Sequence, residues 1–180
     1  MTDRYVILDR DGVINVDSDS FIKSPEEWQA LPGSLEAIAD LNRHGFKVVV
    51  ITNQSGIARG LFDLATLELM HDKMRTKLAE AGGCIESIYF CPHGPDEHCF
   101  CRKPLPGLFE YFAQDKQIDL KKVYSVGDSY RDIEASIAAG AQPMLVKTGK
   151  GLKTLQDRPQ LNLPIFENLY DAAKYIVSTS

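Results

Sequence analysis

The sequence predicts a three-layer, Rossmann-like α/β fold, with a central parallel sheet covered by helices on both faces, in a single domain over residues 1–180. Two observations predict it. Short β-branched apolar runs alternate with amphipathic stretches of helical period, the pattern of units that build parallel sheets. A chain of 180 residues is also of ordinary domain size, long enough to bury one core without crosslinks.

Taken in chain order, YVIL (5–8) is the first strand and SLEAIADLNRH (34–44) the first helix, stopped by Gly45 and carrying His44 at its C-terminus. KVVVIT (47–52) is the second strand. In LATLELMHDKMRTKLAEA (64–81), Leu67, Met70, Met74 and Leu78 recur at helical spacing as a core-facing stripe, and Gly82 ends the helix. His71 falls between the stripe positions and reads as a partly solvated helix residue. SIYF, GLFEYFAQDKQ, VYSV, YRDIEASIAAG and PMLVK continue the alternation. Thr148 to Pro164 has little periodicity, and PIFENLYDAAKYIV (164–177) then predicts a short edge strand and a closing helix. Cys84 reads as a small buried thiol. Trp28 either packs the loop after the first strand or lines a substrate mouth.

Composition narrows the function. The formal charge is −5 with Lys and Arg scattered, which argues against a broad nucleic-acid footprint or a polybasic membrane patch. MTDRYVILDRDGV lacks the apolar core of a signal peptide, and no apolar run has spanning length. The expectation is a soluble, cytoplasmic, monomeric protein acting on a small molecule, without nucleic-acid or membrane partners. In a reducing compartment, closely spaced Cys and His are metal ligands or catalytic groups more often than disulfides.

The polar residues of interest follow the apolar runs at once: Asp9 and Asp11 after YVIL, Thr52 and Asn53 after KVVVI, and Asp128 after VYSVG. In a parallel sheet these are carboxyl ends of strands, which converge on one crevice near the topological switch point.

DRDGVIN (9–15), VITN (50–53), RKP (102–104) and GDSYRD (127–132) together resemble the four ordered motifs of the haloacid dehalogenase-like (HAD) hydrolase superfamily, over about the first 150 residues. TNQSGIARG (52–60), the CPH…CFCRKP loop and KTGKG (147–151) are more closely similar to its heptose bisphosphate phosphatase branch and the related histidinol-phosphate phosphatases. The resemblance implies four tasks of phosphomonoester hydrolysis. Asp9 is the nucleophile that forms an aspartyl-phosphate. Asp11 is the general acid and then the general base. Asp9, Asp128 and the main-chain carbonyl of Asp11 hold Mg2+. Thr52 or Asn53, with Lys103, supplies donors where negative charge gathers. Asp132, four residues after Asp128, orients Lys103 or the metal's water, or serves as a carboxylate at a helix N-terminus.

CPHGPDEHCFCRKP (91–104) holds three of the four cysteines. Cys91, His93, Cys99 and Cys101 present the ligand number and type that a tetrahedral structural Zn2+ prefers. A redox pair lacks thioredoxin-like surroundings, and a nucleophilic cysteine would make Asp9 redundant. The resemblance favours zinc and, through the Cys-x-His of that branch, implies His93, with His98 an alternative donor. A zinc-stabilised loop would then aim Arg102 and Lys103 at the crevice.

Both insertion points are short, so a minimal cap or none is expected, with specificity carried by the loops Ile14 to Trp28 and Gln54 to Phe62 and by the zinc loop. Asn53, Gln54, Ser55, Arg59, Arg102, Lys103 and Lys150 are the expected substrate-binding residues. Arg59, Arg102 and Lys150 exceed what one phosphate needs and tilt the reading towards a sugar bisphosphate over histidinol phosphate. The other rivals are a different small phosphomonoesterase, an inactive scaffold on the same fold, and a nucleic-acid 3'-end phosphatase, against which the low basic charge counts.

Overall fold

A computed structural model describes residues 3–180. Six strands form one sheet: β1 Arg4–Leu8, β2 Phe46–Asn53, β3 Ser87–Cys91, β4 Tyr124–Gly127, β5 Gln142–Val146 and β6 Ile165–Phe166. Their order across the sheet is β3-β2-β1-β4-β5-β6, and every neighbouring pair is parallel. The chain therefore builds outward from β1 on one side and then starts again on the other, so the switch point lies between β1 and β4.

Strand periodicity divides the core in two. Val6 and Leu8 of β1 join Val48 and Val50 of β2 in a cluster with the helices α1 (Ser34–Arg43), α2 (Leu64–Glu80) and α6 (Leu169–Thr179). Tyr5, Ile7, Val49 and Ile51 face the other way, onto Phe109 and Phe112 of α3 (Gly107–Lys116) and Ala135 of α4 (Tyr130–Ala139). The predicted stripe Leu67, Met70, Met74 and Leu78 is buried. Asp63 caps α2 by accepting the Thr66 N–H at 2.8 Å, and Asn168 caps α6 by accepting the Asp171 N–H at 3.0 Å.

The structure departs from the sequence reading in three places. Gly151–Asp157 forms a seven-residue helix, α5, inside the stretch without periodicity. Only Gly151 and Thr154 of it are buried, so no apolar stripe announced it. It is held by close packing on β5, where a Cβ on Gly151 would stand 1.8 Å from the Val146 carbonyl oxygen, and by the Thr154 hydroxyl, which donates to the Asp128 carbonyl at 2.9 Å. Cys84 is exposed, because it sits in the loop between α2 and β3. His71 is fully buried, because position 71 shares the core-facing side of α2 with Leu67, Met74 and Leu78, and there its ring meets a buried arginine from the β1 end. Of the two alternatives for Trp28, packing is the one seen: it joins the first core cluster and is not among the residues that line the cleft.

Candidate active site

Register levels the strand ends: Leu8 lies opposite Val50 of β2 and Val126 of β4. The residues that follow, Asp9 and Asp128, and the last of β2, Thr52 and Asn53, therefore emerge side by side. They line one cleft of about 270 Å³ together with Asp11 and Lys103. The other expected residues, Gln54, Ser55, Arg59, Arg102, Asp132 and Lys150, line it too. A close approach shapes its floor. Gly12 has φ +86°, and a Cβ there would stand 2.0 Å from Asp128 Oδ2, so a side chain cannot replace its hydrogen.

Lys103 is the electrostatic centre. Its ammonium is buried and donates to Asp9 Oδ1 at 3.0 Å and the Ile51 carbonyl at 2.8 Å, and pairs with Asp132 Oδ1 at 2.6 Å. Burial alone would lower its pKa, but Asp132 and Asp9 outweigh that and raise it, so the amine stays charged. Asp132 is committed entirely to the protein. Its Oδ2 accepts from the Asp128 N–H at 3.2 Å, the Ser129 N–H at 3.1 Å and the Ser129 hydroxyl at 2.9 Å. Despite burial, Lys103 holds its pKa below the ordinary value.

Asp9 and Asp128 keep one oxygen each in hand. Asp9 Oδ1 accepts from the Arg10 N–H at 2.8 Å and from Lys103, and Asp128 Oδ2 accepts from the Lys150 N–H at 2.8 Å. Asp9 Oδ2 and Asp128 Oδ1 have no protein partner among the described residues. Burial, then Asp132, pushes the Asp9 pKa up to about 7 against the pull of Lys103, and burial with Asp132 and Asp9 raises that of Asp128. Oxygens of Asp9, Asp128 and Asp132 lie within 4.8 Å of one another, and the buried Lys103 pairs with Asp9 and Asp132 but not with Asp128. That surplus of negative charge is a seat for a hard cation.

The motif residues after β2 are more structural than a donor role requires. Gln54 is buried, its Nε2 donating to Asp11 Oδ2 at 2.9 Å and to Thr52 Oγ1 at 3.0 Å. The Asn53 amide is given to the backbone of Lys103.

The cysteine loop closes into a knot beside the cleft. Cys91 Sγ lies 3.4 Å from His93 Nδ1, 3.6 Å from Cys99 Sγ and 3.1 Å from Cys101 Sγ, and His93 Nδ1 lies 3.3 Å from Cys101 Sγ. These separations are far too long for disulfides, whose sulfurs sit about 2.05 Å apart. They approach the edges of a tetrahedron with metal–sulfur bonds of about 2.3 Å and metal–nitrogen bonds of about 2.0 Å. His98 is exposed and outside this group, so the geometry selects His93. Arg102 donates to the His93 carbonyl at 3.3 Å, which ties the loop to a cleft-lining cation.

The chain was compared with known proteins. A family model described as HAD-hydrolase-like matches residues 100–172. A D-glycero-β-D-manno-heptose-1,7-bisphosphate 7-phosphatase of Bordetella bronchiseptica is 58% identical over 152 residues, covering 84% of this chain and 85% of the relative. One from Pseudomonas putida is 53% identical over 97% of this chain and 99% of its own. The chain belongs to the D-glycero-β-D-manno-heptose-1,7-bisphosphate 7-phosphatase family. The fold agrees with this heptose bisphosphate phosphatase family at full length. The crystal structure of the B. bronchiseptica D,D-heptose 1,7-bisphosphate phosphatase, complexed with magnesium and phosphate, superposes with a TM-score of 0.96 at 51% identity, covering 98% of this chain and 99% of that one.

Within this heptose bisphosphate phosphatase fold, sequence reasoning missed Arg131 of the cleft and the buried pair Arg10 and His71, while Asp17 and Phe21 lie in the loop 14–28 expected to carry specificity. Arg131 stands inside the quoted GDSYRD and Arg10 inside DRDG, so a charged residue within a motif was the available signal. Arg131 and Arg59 lie close enough to Arg102 to add to burial in lowering its pKa. Two cleft cations are braced by the loop after β1: Lys150 lies 3.6 Å from Asp17, and the Arg59 guanidinium sits 5.4 Å from the Phe21 ring centroid.

Proposed function

We propose that this chain is a Mg2+-dependent phosphatase that removes the C7 phosphate of D-glycero-β-D-manno-heptose 1,7-bisphosphate, in the biosynthesis of nucleotide-activated heptose. The observation that carries the reading is Asp9, with one oxygen held by Lys103 and the other unpaired, in a chain 53% identical to a 7-phosphatase along 97% of its length. We read residues 1–180 as a single catalytic domain, cytoplasmic and monomeric, acting on a small sugar bisphosphate.

The residues fit a magnesium ion. Asp9 Oδ2 and Asp128 Oδ1 are unpaired carboxylate oxygens, and with the main-chain carbonyl of Asp11 they make the hard oxygen set that Mg2+ favours. Bound Mg2+ supplies neutralisation of the charge on the transferring phosphoryl group. With one Asp9 carboxylate oxygen given to the ion, the other attacks phosphorus as the bond from phosphorus to the C7 oxygen breaks, and the bonding pair stays with the C7 oxygen, which takes a proton from Asp11. Asp11, now ionised, accepts a proton from the water that hydrolyses the aspartyl-phosphate, restoring Asp9. Lys103 stays charged throughout and offsets the negative charge of the phosphoryl oxygens. Thr52 closes the floor through Gln54. Arg59, Arg102, Lys150 and Arg131 offer the cations that a second phosphate needs.

Cys91, His93, Cys99 and Cys101 fit a structural Zn2+, since four protein donors leave no open position for a substrate or water. Its task is to hold Arg102 and Lys103 in place.

The test is initial rates of phosphate release with both anomers of the heptose bisphosphate, fructose 1,6-bisphosphate and histidinol phosphate. The highest kcat/KM should fall on the β-heptose bisphosphate. A preference for histidinol phosphate would overturn the substrate assignment, and no turnover of any of the four would overturn the enzyme reading.

A further inference from the structure

Arg10 and His71 are buried ionisable side chains for which phosphoryl transfer as described has no task. Arg10 has 0% and His71 1% of its surface exposed. A guanidinium withdrawn from water is costly unless its donors are matched. Arg10 matches them locally. Its Nε and Nη2 donate to Asp11 Oδ1 at 3.2 and 2.8 Å, and Nη1 lies 3.3 Å from His71 Nε2. Arginine has no lone pair to offer, so His71 Nε2 is the acceptor and its ring is neutral, with the proton on Nδ1. Burial and the charge of Arg10 push the His71 pKa down to about 3, in keeping with that tautomer.

The two oxygens of Asp11 are treated differently. Oδ1 accepts both Arg10 contacts and the Asn15 Nδ2 at 2.9 Å, which saturates it. Oδ2 has a single neutral donor, Gln54 Nε2 at 2.9 Å. Residues 10 and 71 come from different elements, the β1 end and α2. A hydrogen bond between them fixes the guanidinium fork, and the fork fixes the carboxyl plane.

We propose that His71 and Arg10 act in series as positioning residues for Asp11, dedicating Oδ1 to accepting hydrogen bonds so that Oδ2 alone is left for proton transfer. The inference rests on the reading of Asp11 as the general acid. In the step served, the Asp11 Oδ2–H bond breaks and an O–H bond forms on the leaving sugar oxygen. His71 and Arg10 exchange no proton.

The test compares two leaving groups, because a sugar alkoxide needs protonation and p-nitrophenolate needs little. His71→Leu removes the acceptor, His71→Gln restores one near the Nε2 position, and Arg10→Lys keeps the charge but loses the fork. His71→Leu and Arg10→Lys should each lower kcat on the heptose bisphosphate by about tenfold or more, and turnover of p-nitrophenyl phosphate by less than about threefold. His71→Gln should recover most of the loss. Equal losses on both substrates, or no loss, would overturn the proposal. Asp11→Asn is the control: if it shows no leaving-group selectivity, the general-acid reading fails and the proposal with it. If Asp11→Asn is selective and the Arg10 and His71 variants are not, only the proposal fails. Should His71→Leu not fold, Arg10→Lys and His71→Gln decide on the same comparison.

Discussion

Asn53 grips the backbone of Lys103 at both ends: its Oδ1 accepts the Lys103 N–H at 3.0 Å, and its Nδ2 donates to the Lys103 carbonyl at 3.0 Å. One side chain thus docks a segment 50 residues further along against the end of β2. Asn53→Ala should lower stability by about 1–3 kcal/mol, because two partly buried backbone groups lose their partners. It should also lower kcat by loosening the loop that carries Lys103. Asn53→Asp keeps the acceptor but sets a carboxylate oxygen against a carbonyl, and should do no better than Ala. Thermal melts and kcat check this, and native values of both in Asn53→Ala would contradict it.

Asp9 and Lys103 should separate activity from stability. Asp9→Asn abolishes turnover, since an amide forms no acyl-phosphate. In metal-free protein it should leave Tm unchanged or raise it, because burial and Asp132 already disfavour the charged form of Asp9. Lys103→Met should do the reverse to stability, costing about 3–5 kcal/mol by leaving Asp9 and Asp132 unpaired in a buried site. Melting curves in EDTA for the two variants give the comparison, and a Tm of Lys103→Met above that of Asp9→Asn would refute it.

The pH dependence of metal-free protein follows with a definite sign. Asp9 is pushed from an ordinary 3.8 up to about 7, and Asp128 is raised, so between these values the folded state binds more protons than the unfolded one. Stability then falls as pH rises from about 4 to 7. Asp132 acts oppositely. Its pKa is depressed, so its contribution is complete above 3.8 and is lost only as pH falls through the lower, folded value. Mg2+ competes with protons for Asp9 and Asp128, so it should raise Tm more at pH 7.5 than at pH 5. Melts with EDTA and with Mg2+ at both pH values check this, and equal Mg2+ shifts would count against the proposed ligands.

The two metals should part under chelation. Brief EDTA treatment should abolish activity and Mg2+ alone restore it, while thiolate-bound zinc stays. Elemental analysis should find about one zinc per chain. Cys101→Ser should lose zinc and stability, and Cys84→Ser, at an exposed cysteine outside the cluster, should keep both. Zinc-free native protein with all thiols titratable would refute the knot.

Arg102 and Lys103 are neighbours with different expected kinetics. If Arg102 holds the second phosphate, Arg102→Ala should cut kcat/KM on the bisphosphate by about one to two powers of ten and change that on a monophosphate little. Lys103, touching Asp9, should harm both substrates alike, mainly through kcat. Equal loss on both substrates for Arg102→Ala would return Arg102 to the loop or the reacting phosphate.

The strands, the main helices and the cleft were legible because each rests on a local signal: short β-branched apolar runs, a helical stripe, and polar residues directly after strands. The α5 helix was not, because one glycine contact and one threonine hydroxyl hold it, and neither repeats along the chain. The burial of His71 and Arg10 was not: position 71 shares the helical face of Leu67, Met74 and Leu78, but a polar ring there gives no apolar signal, and the arginine that meets it comes from the β1 end, 61 residues away. His93 was the preferred donor with His98 left open, and the path of the loop brings His93, not His98, to the three sulfurs. Gln54 and Asn53 were placed in the right cleft, yet what their amides grip depends on partners 43 and 50 residues away.

The position of β1 between β2 and β4 has a consequence during synthesis. A ribosome releasing the chain from its N-terminus completes β1, β2 and β3 while β4 is still to come. Until residues 124–127 arrive, the strand that leads into Asp9 is the open rim of a three-stranded sheet, presenting Val6, Ile7 and Leu8 and a row of unpaired peptide groups. Nascent chains stalled before that point should therefore self-associate, and chaperone dependence should drop once β4 closes the rim.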